Sequence, residues 1–226
     1  MSFDDIVVGA GIVGLAHASH LAARGGRVCV LERNPAAVGA SIRNFGMIWP
    51  VGQPSGALLD LALSSRTHWL TVLREAQLWH EAVGSLHLAY HDDEVQVLQE
   101  FLASAPDHSF TPRWLAPSEV QDRAPCVRRD RLRGALWSAS EVCVDPREVV
   151  ARLPQFLQRR FGVQFHFATP ATDCEPGHVK AGGTSWSARR LWICAGDDLR
   201  TLYPELLQAA GLPPRQPKRW KQRDKH

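Results

Sequence analysis

The first thirty-two residues constrain this chain more than any other stretch. A short apolar run, Ile6-Val7-Val8, leads into Gly9-Ala10-Gly11-Ile12-Val13-Gly14. An alanine-rich segment continues to Arg24, followed by Gly25-Gly26, the run Val28-Cys29-Val30-Leu31, and Glu32. The order is strand, glycine turn, helix, strand, acid. Unbroken apolar runs suit parallel strands covered on both faces. Gly9 permits the tight turn, Gly11 leaves the backbone open to a pyrophosphate, and Gly14 lets helix and strand pack closely. The helix, with Ile12 and Val13 in its first turn, aims unpaired N–H groups and the positive end of its dipole at that anion. Gly25-Gly26 ends it without steric strain. Glu32 follows Gly11 by 21 residues, the separation at which an acid accepts hydrogen bonds from a ribose. G-x-G-x-x-G alone is a weak signal, but between a strand and a helix, and answered by an acid, it indicates a dinucleotide-binding βαβ unit. NAD and FAD both present adenosine, ribose and pyrophosphate, so the motif does not choose between them.

Downstream, Arg33-Asn34-Pro35 forms a turn, and residues 39–53 carry three glycines, polar Ser41, Arg43 and Asn44, and little periodicity. Such a loop can wrap a large planar ligand, its glycines permitting close approach. Helical spacing recurs over 58–76 and 93–104. Strand patterns occupy 84–90, 134–137 and 163–167, and a hairpin is expected across Gly182-Gly183. Asp145 and Pro146 are the N-cap and first residue of a helix ended by Gly162. The apolar run 190–194 enters Ala195-Gly196, small residues of the kind a parallel strand needs where it meets a cofactor. Nucleotide-binding elements thus lie at both ends of the sequence. Residues 1–81 and 141–211 read as one discontinuous cofactor domain, 82–140 as an inserted substrate domain, and 212–226 as a basic, disordered tail.

The net charge of +3 is misleading. Six of the Lys and Arg residues fall in 212–226, and the remaining 20 face 22 Asp and Glu. The body is mildly acidic, and three prolines in the tail favour disorder over nucleic-acid binding. No apolar run reaches the length of a membrane span, and the N-terminus has no signal-peptide core, which makes a cytoplasmic protein the expectation. Five cysteines without C-x-x-C spacing point to free thiols. The pairs His17/His20 and His87/His91 lack partners at ligand spacing, so no metal is expected.

The Gly9–Glu32 unit, the 39–53 loop, Val144-Asp145-Pro146 and Cys194-Ala195-Gly196 together resemble the D-amino-acid oxidase/glycine oxidase superfamily of FAD-dependent oxidoreductases. Residues 43–50, 84–89 and 141–146 resemble, more narrowly, a subfamily associated with phosphonate catabolism. The resemblance implies an α/β fold: an FAD-binding, Rossmann-like parallel sheet with an inserted mixed α+β substrate domain. It implies FAD as cofactor, with the ADP half at Gly9, Gly11, Ile12, Val13, Gly14, Glu32 and Arg33. Ser41, Arg43, Asn44, Gly46 and Met47 would line the pyrophosphate and flavin side. Ala171 falls where relatives present a backbone amide to adenine, and Gly196 would lie near the cofactor.

The implied reaction is oxidation of a small amine. A hydride passes from the carbon bearing nitrogen to flavin N5, and oxygen or another acceptor takes the electrons onward. Such chemistry resides in the cofactor, and no catalytic side chain is assigned. The subfamily points to 2-aminoethylphosphonate or an N-methyl derivative, with Arg43 as the cation for the phosphonate. Glycine, sarcosine or D-amino-acid oxidation is the alternative. Members of the family continue past Gly211, so both domains are expected to be incomplete, as in a truncated product. The contrasting expectation is an inactive fragment that keeps part of the ADP-binding surface.

Overall fold

The computed structural model describes residues 2–105 and 111–203. The end of the expected cofactor domain (204–211) and the basic tail (212–226) lie outside the described residues. In chain order the elements are β1 (Ser2–Val8), α1 (Ile12–Ala23), β2 (Val28–Leu31), β3 (Met47–Ile48), α2 (Ala57–Glu75), β4 (His80–Glu81), β5 (Ser85–Ala89), α3 (Asp92–Ser104), β6 (Arg113–Leu115), α4 (Pro117–Arg123), β7 (Gly134–Ser138), β8 (Val142–Val144), α5 (Pro146–Phe161), β9 (Gln164–His166), β10 (Ala171–Glu175), β11 (His178–Ala181), β12 (Thr184–Ile193) and α6 (Leu199–Leu202). Among the described residues no helix is long and apolar enough to cross a membrane.

The chain divides into two compact units, Met1–Arg43 with Val150–His226, and Asn44–Val149. The division falls after residues 43 and 149 rather than after the expected 81 and 140. Strand pairing explains the difference: β3 and β4 both pair antiparallel with β8. That ties residues 47–81 to 142–144 within the second unit.

The first unit is built on a six-stranded sheet of order β10-β11-β12-β1-β2-β9. The run β12-β1-β2-β9 is parallel, and β10-β11-β12 is antiparallel. β12 belongs to both parts. Thr184 to Ser187 pair with β11, and Ser187 to Ile193 pair with β1. The sequence suggested two separate strands here, and the structure makes them one. All four residues of β2 are buried, as the unalternating run requires. One apolar cluster joins Phe3, Ile6, Val8, Cys29 and Leu31 to Val179 and Ala181. α1 buries Gly14, Ala18 and Ala22 at four-residue spacing, together with Leu15 and Leu21. That row of small side chains allows the helix to lie close to the sheet.

One charged group is fully buried in β1. Asp5 accepts a forked pair from Arg190 Nε (2.8 Å) and Nη2 (3.0 Å), and a third hydrogen bond from Trp192 Nε1 (2.8 Å). Arg190 is its register partner across β12, so the parallel pairing itself supplies the counter-charge.

The second unit holds two three-stranded sheets, β3-β8-β4 and β5-β7-β6. Leu115, Val120, Leu132 and Ala135 form its described apolar cluster, with Leu86, Leu88 and Trp137 packed against them. At the start of α5, Asp145 Oδ1 accepts the N–H groups of Arg147 (2.8 Å) and Glu148 (3.2 Å), as the Asp-Pro pair predicts.

The cysteines offer a test of this packing. All five are free. Cys29 is sealed inside β2, and burial pushes its thiol up to about 12, whereas Cys126 is exposed. A thiol reagent at mildly alkaline pH should modify Cys126 first and reach Cys29 only when the chain unfolds, because the thiolate is the reacting form. Peptide mapping after graded denaturant reads the order. Modification of Cys29 in the native protein would contradict the burial of β2.

Candidate functional site

The C-terminal ends of β12, β1 and β2 lie side by side, where open α/β sheets bind their ligands. Two of the three turn glycines are required by the protein's own geometry. Gly9 has φ +105°, and a Cβ there would lie 2.4 Å from the Cys194 carbonyl oxygen. A Cβ on Gly14 would lie 1.9 Å from the Gly9 carbonyl oxygen. Gly11 differs. Its φ is −67°, and a Cβ would meet only the Ser41 hydroxyl, at 3.1 Å. Neither turn conformation nor backbone crowding demands glycine there, and the space in front of it is open.

Around that space stand donors at the start of α1. Ile12 N–H donates to Ser41 Oγ (2.9 Å), so the 39–53 loop caps the helix. Among the described residues, no acceptor takes the N–H of Val13 or Gly14. The Ser41 hydroxyl proton also remains to be donated. A set of uncharged donors at a helix N-terminus suits the oxygens of a diphosphate.

Glu32 follows β2 and is buried. Its Oε2 accepts Ala10 N–H (2.9 Å), and its Oε1 accepts Asn34 N–H (3.0 Å) and Nδ2 (3.2 Å). These three donors fix the carboxylate against the turn. A carboxylate offers about four acceptor positions, so capacity for a hydroxyl remains on Oε2. The Glu32 backbone is clamped too: its N–H donates to His166 O (2.9 Å), and its C=O accepts Thr169 N–H (2.8 Å). Ala171 begins β10 opposite Ala181, beside a register shift before Asp173. Gly196 has φ +59°, with open space where a Cβ would stand.

The other predicted residues fall differently. Arg33 forms an ion pair with Asp198, in the turn after β12. Arg43 is exposed and has no acidic partner among the described residues. Asn44, Gly46 and Met47 belong to the second unit. There Asn44 Oδ1 accepts Gly46 N–H (3.0 Å), and Gly46, at φ +72°, lets β3 lie against Val144, whose carbonyl a Cβ would approach to 2.1 Å. The glycine the sequence assigned to ligand contact thus has a structural reason of its own. The 39–53 stretch is not structureless: it contains β3 and two short 3₁₀ turns, Ala40–Arg43 and Pro50–Gly52. A 510 Å³ cavity lined by His20, Arg24, Arg189, Arg190 and Trp192 sits at the other end of β1 from the glycine turn.

One polar cluster was missed in the sequence. In the second unit Glu141, 1% exposed, accepts Val51 N–H on Oε1 (3.1 Å) and Ser85 Oγ–H on Oε2 (3.0 Å), and also takes the Ser140 hydroxyl. Ser85 Oγ in turn meets His87 Nε2 at 3.1 Å. Burial holds the His87 ring below the ordinary imidazole range, and the Glu141 charge partly offsets that. Ser85 and His87 stand two apart on a strand, hence on one face, which was the available signal. Their acid lies 56 residues away and gives none.

Comparison with known proteins bears on the fold and the family. The chain is 27% identical to monomeric sarcosine oxidase of Streptomyces avermitilis over an alignment 229 residues long, gaps included, that covers 94% of this chain and 55% of that protein. It superposes on the crystal structure of glycine oxidase from Geobacillus kaustophilus with a TM-score of 0.78 at 22% identity, covering 91% of this chain and 58% of that one. For L-proline dehydrogenase from P. horikoshii the TM-score is 0.81 at 19% identity, covering 89% and 55%. The chain thus spans little more than half the length of these proteins. Their shared fold is the FAD-binding α/β architecture with its partly parallel sheet. Residues 4–223, nearly the whole sequence, match the family model described as FAD dependent oxidoreductase, and the chain belongs to that family.

Proposed function

We propose that this chain holds FAD and serves in the oxidation of a small amine or amino acid. The observation that carries the reading is the open face at Gly11: a glycine that neither turn conformation nor backbone crowding requires, facing the unpaired N–H groups of Val13 and Gly14. The Ser41 hydroxyl would join those groups on the diphosphate, Glu32 Oε2 would receive an adenosine ribose hydroxyl, and the Ala171 backbone would meet adenine. Arg33 is committed to Asp198 and would act on the cofactor by holding the ends of β2 and β12 together. Gly196, with no side chain to intrude, would leave room beside the turn. FAD held there would supply the hydride-accepting chemistry that oxidises the carbon bearing the amine nitrogen and passes the electrons to oxygen or another acceptor.

Glycine and sarcosine are supported as substrates by the names of the similar oxidases. 2-Aminoethylphosphonate or its N-methyl derivative is supported by the likeness of residues 43–50 and 141–146 to the phosphonate-associated subfamily, and by the exposed Arg43, which has no acidic partner among the described residues. Both rest on one cofactor reading and separate in one experiment. Purified protein reconstituted with FAD should absorb near about 450 nm and bleach anaerobically with its substrate. Bleaching by the aminophosphonates but not by glycine, sarcosine or D-alanine assigns the phosphonate class, and the reverse assigns the amino-acid class. A protein that stays colourless after reconstitution overturns the proposal and leaves at most a surface for the ADP half.

A further inference from the structure

We propose that His87, backed by Ser85 and Glu141 and flanked by Trp49, is the proton acceptor for an aliphatic ammonium group. The proposal rests on the amine-oxidising reading above, which leaves unexplained how an amine that is protonated at neutral pH loses its proton and gains a free lone pair.

The direction of the hydrogen bonds fixes the tautomer. Glu141 takes donors from Val51 N–H, Ser140 Oγ and Ser85 Oγ, and a carboxylate only accepts. Ser85 has one hydroxyl proton, and Glu141 receives it. The contact between Ser85 Oγ and His87 Nε2 is therefore donated by the ring. Nε2 carries the hydrogen of the neutral imidazole, and Nδ1 keeps its lone pair. Among the described residues Nδ1 has no partner. Glu141 is also the one charged group found to act on the ring.

The surroundings suit a cation. The Trp49 ring stacks beside the His87 ring, with centroids 6.1 Å apart and planes 24° from parallel. Trp49 is 45% exposed, and an indole face attracts an ammonium. Gly52 is left bare beneath it: a Cβ there would lie 2.6 Å from the indole carbons. Trp49 is thus seated on a glycine. All of these residues belong to the second unit.

The step balances as a proton transfer. One hydrogen leaves the ammonium nitrogen as a proton and joins His87 Nδ1, and the N–H electron pair stays behind as the amine lone pair. The imidazolium so formed donates Nε2–H to Ser85 Oγ, which donates to the Glu141 carboxylate. Ser85 and Glu141 are positioning residues: they hold the tautomer and stabilise the charge.

The test uses ring-¹⁵N-labelled histidine in the full chain without cofactor, with methylammonium chloride as the probe. The expected result is a neutral His87 protonated on Nε2, with its Nδ1 resonance shifting saturably as methylammonium is added. Ser85→Ala should release the tautomer preference, and Glu141→Gln should make His87 harder still to protonate. An Nδ1–H tautomer in the wild type, or a His87 indifferent to methylammonium, overturns the proposal. A second arm uses FAD-loaded protein and sarcosine under anaerobic conditions. His87→Asn should slow bleaching about 100-fold at neutral pH, the deficit closing as pH approaches the amine's own ionisation. An equal deficit at every pH overturns the proton-acceptor role. If the NMR arm holds and no amine bleaches the flavin, the relay stands and the oxidoreductase reading falls.

Discussion

Gly14→Ala should destabilise the chain by about 3 kcal/mol, at the upper end of the usual overpacking range, with or without cofactor. The added methyl carbon would lie 1.9 Å from the Gly9 carbonyl oxygen, 3.0 Å from its carbon and 3.3 Å from Val7 Cγ1. Two of those atoms are backbone and cannot turn aside, so α1 must lift from β1 and uncover the row of Ala18 and Ala22 behind it. For a chain of this size the loss corresponds to a fall in Tm of roughly 6–12 °C. Gly11→Ala is the contrasting variant. Its methyl group meets only the Ser41 hydroxyl, at 3.1 Å, which a small side-chain shift relieves. The cofactor-free protein should melt within about 1 kcal/mol of wild type, since backbone φ at Gly11 is ordinary. Affinity for FAD should nevertheless fall, because the methyl group occupies the open face. Calorimetric scans with and without FAD separate the two. An unchanged melting temperature for Gly14→Ala would overturn the close packing, and unchanged FAD affinity for Gly11→Ala would overturn the ligand role.

The same contrast marks what was legible in the sequence. Local signals came through. The helix over 57–75, the Asp145-Pro146 start of α5, the hairpin at Gly182-Gly183 and the βαβ unit all depend on neighbours within a few residues. Non-local polar pairings did not. Nothing in its neighbours marks Asp5 for burial, yet it is buried against Arg190, 185 residues away. Half of β12 was hidden because Thr184, Ser185 and Arg189 are exposed and break the apolar pattern. Ser41 stood out as a polar residue of the 39–53 loop, but its bond to Ile12 crosses 29 residues and was not legible. β3, β4 and β8 are two or three residues long, too short for any period to register, and they decide where the units divide. Glu141 stood in the 141–146 motif that carried a family resemblance, but its burial was not legible, since its donors Val51 and Ser85 lie 90 and 56 residues away.

Glu141→Ala should cost about 2–4 kcal/mol, because it strips a buried carboxylate acceptor from three neutral donors. The substitution leaves Val51 N–H without its acceptor and two serine hydroxyls without theirs. A buried donor left unmade costs about 1–3 kcal/mol, and hydroxyls that rotate toward other acceptors recover part of that. Glu141→Gln keeps the volume and should cost much less, because either serine can turn its lone pair toward the amide. The pair also predicts an acid dependence. Burial holds His87 low in the folded state while Glu141 pulls it up, so the unfolded chain takes the proton more readily. The stability contributed by neutral His87 is complete above the ordinary imidazole value of about 6.5 and is lost as pH falls through that value toward the folded one. Removing the Glu141 charge lowers the folded value further, which widens the window, so Glu141→Gln should lose more stability on acidification than wild type. Urea titrations at neutral and mildly acidic pH measure both effects. A Glu141→Ala protein within about 0.5 kcal/mol of wild type, below the cost of even one buried donor left unmade, would mean that the carboxylate does not organise the second unit.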